Sequence, residues 1–497
     1  MLAFNMYFIP LTLPNLRLPR QRKAARSVQQ KLAGELAKLK QKSFVQLGEC
    51  FGKFIPSHLL TPSKSGRHSR NRIFSKQNTF WAFLSQVLDA EGGCKEVTLK
   101  FQAFMTKSCG KVVACSTSAY CQARKNIDES WLENIFKHLS QQLSHAKGRI
   151  SLQGRRVIVA DGTVLSMPDT VENQEEWPQQ KHQKVGCGFP QAALCACFNL
   201  DNGALLSYAL GNKKSHELPM LRQQSDTFKA GDIFLGDKGF CSYYDQSTFK
   251  DKGVDSVVTL ARRKPVSASH ALKVIDHNDL LITWPKPKHT KASSYSKDDW
   301  EQLPESLPMR QIKVVVSQAG FRVQAFYIVT TLLDPVLYPA DEIAGLYFER
   351  WDVELFFRDI KTTMDMDILR CKSPAMVRKE ITIHLIAYNC IQSLIVEAVA
   401  HTKQKVRRIS FKASLQTIRS WSIQLAQKMP DKERQRLLRL LYQAIAKNVV
   451  IERVGRSEPR AVKRRPKNHH LLTAPRHEMK ITQHRNTHRA EIALARC

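Results

Sequence analysis

Five short apolar runs, set apart by turn residues, decide what this chain can fold into: residues 155–160 (RRVIVA), 190–199, 204–210, 232–236 (DIFLG) and 256–260. They are rich in β-branched and other apolar residues and bounded by Gly, Asp and Asn, which is the chemistry of strands. Asp201-Asn202-Gly203 joins the second and third as a hairpin. A helix opening at Ser215 and running to about Phe228, with Glu217 in its first turn, follows the third. A short helix over 242–250 precedes the fifth. The order β-ββ-α-β-α-β predicts a mixed sheet flanked by helices, hence an α/β fold. The first run stops at Asp161-Gly162-Thr163 and the fourth at Asp237-Lys238-Gly239-Phe240. Because the C-terminal rim of such a sheet is open, acids placed there can meet although they lie far apart in sequence.

A second stretch, 346–367 (LYFERWDVELFFRDIKTTMDMD), reads as a helix. At about 100° per residue, Arg350, Glu354, Arg358 and Lys361 fall on the side of Tyr347. Val353, Phe356 and Ile360 point the other way, into a core. One carboxylate in a row of cations suits a place where a metal and a polyanion meet. A solvated face with i,i+3 and i,i+4 ion pairs explains the same pattern. Asp169, Asp201, Asp232 and Asp352 are rejected as site acids. Asp169 lies beyond the first turn, Asp201 is at a hairpin tip, Asp232 starts its strand, and Asp352 is off the Glu354 face.

Lys and Arg exceed Asp and Glu by 33 charges. An excess of that size suits a partner with many phosphates. Apolar content is ordinary for a globular protein, which excludes a basic disordered chain. The twelve cysteines are scattered. Cys195 and Cys197 alternate on a strand and cannot converge as a C-x2-C knuckle does, so all are read as thiols of a cytoplasmic protein without structural zinc. The apolar start of the chain is broken by Pro10 and Pro14 and lacks a basic n-region, so no signal peptide is expected. The apolar stretch 381–400 is interrupted by His384, Asn389, Gln392 and Glu397. It is expected to be a buried helix, and no membrane is implied.

Tyr347-x2-Arg350-x3-Glu354-x6-Lys361 resembles the Y-R-E-K signature of the IS4 family, the bacterial insertion-sequence transposases of the DDE type. The DGT at Asp161, the DKGF at Asp237, and stretches such as MPDTVENQEEWPQ and SEPRAVKRRPKNHHLLTAPR extend the resemblance over roughly 150–476. It implies an RNase H-like catalytic core in which Asp161, Asp237 and Glu354 are the catalytic, metal-binding acids. Three carboxylates without a His/Cys cluster favour two Mg²⁺ (or Mn²⁺) ions over zinc. The resemblance further implies that Tyr347, Arg350 and Lys361 hold DNA. The implied partners are terminal inverted repeats and target DNA, bound by a homodimer in the bacterial cytoplasm at the nucleoid. A transposase-derived DNA-binding protein without catalysis, or an RNase H-like nuclease of repair, is also compatible with a basic chain of this fold.

The expected organisation is a basic arm (1–77), a helical DNA-binding domain (78–147) and the core in two parts (148–261 and 334–400). A β-rich insertion (262–333) separates the two parts, and a basic helical region with a tail closes the chain (401–497). In the helical domain Asn78 is the expected cap of the first helix. A short helix there offers Tyr120, Gln122, Arg124 and Lys125 as a surface compatible with a helix-turn-helix reader and equally with an ordinary helical bundle. Within the insertion, Trp284 or Trp300 is a candidate for stacking on a flipped base, with core packing the alternative fate of each.

Overall fold

The computed structural model describes residues 45–451 except 62–72, 90–91, 110–111, 113, 145–151, 181–182, 213–214, 262–264, 290–294, 317–323, 401, 426 and 428, and also residues 475 and 478. Most of the basic arm and nearly all of the tail therefore lie outside the described residues.

The centre is a nine-stranded mixed sheet in the order β3-β2-β1-β4-β5-β9-β8-β7-β6. Its first five strands are β1 (Val157–Ser166), β2 (Gln191–Asn199), β3 (Leu205–Gly211), β4 (Ile233–Gly236) and β5 (Asp255–Thr259). β1 to β3 form an antiparallel meander, and β4 and β5 continue parallel to β1. This is the order expected of the RNase H-like core. The hairpin at Asp201-Asn202-Gly203 forms as expected. Gly203 has φ +66, and a Cβ there would come within 3.0 Å of the Phe356 ring, so both backbone conformation and space require glycine.

Side chains alternate along β1 and divide the core into two layers. Val157, Val159 and Leu165 pack on one face, and Ile158 and Ala160 on the other. The first face is covered by the 26-residue helix Pro374–Val399, which starts with proline after Ser373 as its sequence predicts. It is long and apolar enough to cross a membrane, but most of its residues are buried in the protein core.

The N-terminal helices are α1 (Lys76–Leu88), α2 (Cys94–Cys109), α3 (Thr117–Lys125) and α4 (Glu129–Ser144). They join the same apolar cluster as the first face of the sheet. Ser75, not Asn78, caps α1: its side chain accepts from the Asn78 backbone N–H at 3.2 Å. The expected polar surface on α3 holds for Gln122 and Lys125, which are exposed, and is corrected for the other two residues. Tyr120 and Arg124 are buried, and both donate to Gln86 Oε1 of α1, at 2.8 and 3.0 Å. A nine-residue helix is too short for its sequence to show which polar groups find partners inside.

The inserted strands do not stand apart from the core. They are β6 (Lys273–Asp276), β7 (Asp279–Pro285), β8 (Ser306–Val316) and β9 (Gln324–Thr330). β9 pairs antiparallel with β5, so the insertion extends the core sheet. A fully buried ion pair, Arg310 to Asp279, ties β8 to β7. Trp284 and Trp300 are both buried against Tyr243, so core packing is their fate here.

Candidate active site

Asp161 sits inside β1 rather than in a turn after it. The strand continues to Ser166 because β2 pairs with it along that whole length, Asp161 opposite Ala196 and Ser166 opposite Gln191. The parallel neighbour β4 pairs only with Val157 to Val159. Asp161 is thus two residues beyond the point where one side of the strand loses its partner, which opens the rim. Its carboxylate accepts from the Gly162 N–H at 2.8 Å. Asp237 follows directly on β4, as expected. It caps a short 3₁₀ turn, Lys238–Phe240, and accepts from the Gly239 N–H at 2.7 Å.

The expected single helix over 346–367 is three pieces. α5 (Ala340–Glu349) ends at Arg350, α6 (Asp352–Arg358) follows after a break at Arg350-Trp351, and a π-helical turn takes Asp359–Thr363. Val353, Phe356 and Ile360 are buried as expected, with Phe356 and Phe357 each 5.3 Å from the Phe198 ring of β2. Glu354 lies on the exposed side of α6. The following segment is stitched to β1: Lys361 Nζ donates to Thr163 Oγ1 at 3.0 Å, and Ser166 exchanges backbone bonds with Asp367 and Leu369.

The break redirects the remaining signature residues. Tyr347, expected on the DNA face, is 7% exposed, and its hydroxyl bonds to Thr259 at the end of β5. Arg350 is 6% exposed, its guanidinium 4.6 Å from the Trp351 ring and 5.7 Å from the Tyr347 ring. Its Nε has no hydrogen-bond partner among the described residues. Arg358 stays at the surface beside Asp359. The rejected acids are occupied elsewhere: Asp232 pairs with Arg156, and Asp352 with Arg407.

Electrostatics bring the three acids together. The Asp161 carboxyl is pushed above the usual range, first by burial and then by the charges of Asp237 and Glu354. The Gly162 N–H and the Arg350 guanidinium pull it back. A fourth acid, not anticipated from the sequence, joins them. Glu217 opens the six-residue helix Glu217–Arg222, and burial followed by Asp161 and Asp237 pushes its carboxyl up. Among the described residues no three such side chains already close into one coordination shell. The donors are nonetheless all carboxylate oxygens, which fits a hard divalent cation better than zinc.

Asp359, in the π-turn, is buried and carries its own consequence. Burial pushes its carboxyl up to about 6, against the opposing pull of Arg358 and Thr363. In the unfolded chain it ionises near 4, so between pH ~4 and ~6 the unfolded state loses its proton first and stability falls as pH rises. Above that window the penalty is constant. Asp359→Asn is therefore expected to stabilise the protein by about 2 kcal/mol at pH 8 and by little at pH 4. Urea denaturation at the two pH values measures this; equal gains at both would refute it.

The family described as "Transposase DDE domain" matches residues 152–390. The chain is 24% identical over 336 residues to "Transposase InsG for insertion sequence element IS4" of Escherichia coli (strain K12), covering 67% of this chain and 73% of that protein. A cryo-EM structure of a piggyBac transposase synaptic complex with hairpin DNA aligns with a TM-score of 0.39 and 9% identity, covering 85% of this chain and 86% of the other.

Proposed function

We propose, from the premise that this chain belongs to the IS4 family of DDE transposases, that Asp161, Asp237 and Glu354 form its catalytic centre. In this reading the enzyme binds the terminal inverted repeats of its insertion sequence, cuts them, and joins the freed 3′-OH ends to target DNA. The observation that carries it is Asp161, on which Asp237, Glu354 and Arg350 act together although the four residues come from three separate parts of the chain.

The three acids would hold two Mg²⁺ or Mn²⁺ ions. When bound, such a pair activates the attacking oxygen and stabilises the leaving 3′ oxygen of an in-line displacement. The remaining work falls to the chain's own side chains. Arg350, buried beside Asp161, offers a planar cation to a phosphate at the cleavage point. Tyr347 supports that guanidinium from the core side rather than meeting DNA itself. Lys361, held by Thr163 on the strand that carries Asp161, leaves that hydroxyl to bind the next phosphate along the DNA. A dimer would pair two ends and act at the nucleoid in the cytoplasm. The excess of cations makes affinity fall steeply with salt.

The test is a labelled duplex of the element's own terminal repeat, incubated with the full-length protein in Mg²⁺. Nicking at the repeat boundary is expected, and binding without any nick in Mg²⁺ or Mn²⁺ would favour a non-catalytic DNA-binding role. Arg350→Ala and Lys361→Ala are expected to reduce joining about tenfold more than nicking, because alignment matters most when the DNA end is itself the nucleophile. Lys361→Arg should recover part of the loss, since it keeps the charge but not the shape. A wild-type ratio of joined to nicked product in folded variants would remove both residues from this role.

A further inference from the structure

The carboxylate of Glu217 stands at the catalytic rim without an evident reason to be there. Its helix packs on the face of the sheet opposite Asp161, as shown by Met220 and Leu221 in that layer. Gly162 alternates with Asp161 and faces that same layer, and the Glu217 carboxylate lies against it at the rim. A Cβ on Gly162 would lie 2.1 Å from Glu217 Oε1 and 2.8 Å from its Cδ. Gly162 is not in the left-handed region, so the backbone does not demand glycine; the Glu217 carboxylate does. The other oxygen reaches toward the turn after β4: a Cβ on Gly239 would meet Glu217 Oε2 at 3.4 Å and Asp237 Oδ1 at 2.9 Å. One carboxylate therefore spans the two segments that carry the catalytic aspartates.

Glu217 makes no hydrogen bond or ion pair with any described residue, and the charges that act on it, Asp161 and Asp237, both repel it. Its helix is too short for a macrodipole to compensate, and its cap position has no side-chain hydrogen bond. A half-buried carboxylate facing two others is costly unless a cation is supplied from outside. Arg350, which acts on Asp161, points independently to a ligand at this rim: it is buried, and its Nε finds no acceptor among the described residues.

We infer that Glu217 is a fourth carboxylate of the divalent-metal site, coordinating the cation that Asp161 and Asp237 share; this rests on the assignment of those two acids above. Gly162 then has a defined task, keeping open the path by which Glu217 reaches the metal.

Mn²⁺ binding to the full-length chain, followed by the electron paramagnetic resonance of free Mn²⁺ and by the Mn²⁺-induced rise in Tm, separates the possibilities. Glu217→Gln is nearly isosteric and is expected to weaken Mn²⁺ binding by about tenfold or more and to shrink the Tm rise. Without metal it should melt at or above the wild-type Tm, because a repulsion has been removed. Gly162→Ala, which closes the path, should weaken Mn²⁺ in the same sense while Glu217 itself is retained. Asp161→Asn is the control. If Asp161→Asn loses Mn²⁺ while Glu217→Gln and Gly162→Ala bind it as wild type does, this inference is overturned and the catalytic assignment survives. If Asp161→Asn also binds Mn²⁺ normally, the catalytic assignment falls, and the inference falls with it.

Discussion

Asp161→Asn, Asp237→Asn and Glu354→Gln are each expected to slow nicking of a terminal-repeat duplex by about a thousandfold or more, equivalent to ~4 kcal/mol of transition-state stabilisation. The same variants should bind the duplex at least as tightly as wild type, because each removes a negative charge from a surface that meets phosphate. Thermal stability should be unchanged or slightly higher, since the Asp161 carboxylate is both desolvated and repelled where it sits. Denaturing gels report nicking and electrophoretic mobility shifts report binding. A variant that nicks like wild type would remove its residue from the centre. A variant that loses nicking and binding together would mark its residue as a structural or DNA-contacting one instead.

The second large effect is on stability. Arg310 is 1% exposed and Asp279 4%; Arg310 Nε donates to Asp279 Oδ1 at 2.8 Å and Nη1 to the Tyr338 carbonyl at 2.6 Å. Asp279→Ala leaves a guanidinium buried without its counter-charge, and a loss of about 3–5 kcal/mol is expected. Asp279→Leu combined with Arg310→Met should recover much of it, because apolar residues of similar volume avoid the desolvation that the ion pair bears. Urea titrations of the three proteins measure the difference. A loss under about 1 kcal/mol for Asp279→Ala would mean that water reaches the pair.

The placement of the candidate acids was largely legible in the sequence because strand ends and turns have strong local chemistry. Asp237 follows a four-residue apolar strand and opens the turn Lys238-Gly239, and nothing distant alters that. Asp161 was placed correctly on the rim, but its strand was read as ending there. The continuation to Ser166 depends on β2, more than twenty residues downstream, and pairing partners cannot be read from the strand itself. Glu354 was identified from spacing, and its apolar neighbours Val353, Phe356 and Ile360 behave as helical periodicity requires.

Periodicity failed where the helix did. The break at Arg350-Trp351 and the π-turn at Asp359–Thr363 rotate the segments against one another, so Tyr347 turns into the core although it shares a nominal face with Glu354. Tyr120 and Arg124 misled for a related reason, since Gln86 supplies an acceptor that only the packing of α1 reveals. Glu217 was visible as a helix-opening acid, which usually signals nothing beyond a favourable helix dipole. The available hint was Gly162 beside Asp161: a glycine in an extended strand often marks the close approach of another group.

The pairing of β9 with β5 also sets a schedule. Glu354 lies 117 positions after Asp237, the difference of their numbers, and the whole insertion lies between them. At about 5–20 residues per second of synthesis, the last acid emerges roughly 6–23 s after the second. Until β9 has added to the sheet, the chain leading to Glu354 has no fixed point of departure near β1. The nascent protein therefore passes through a long interval in which its strands and basic surface exist but the proposed catalytic centre does not. On that assignment, ribosome-bound chains that end between residues 240 and 340 meet DNA before they are able to break it.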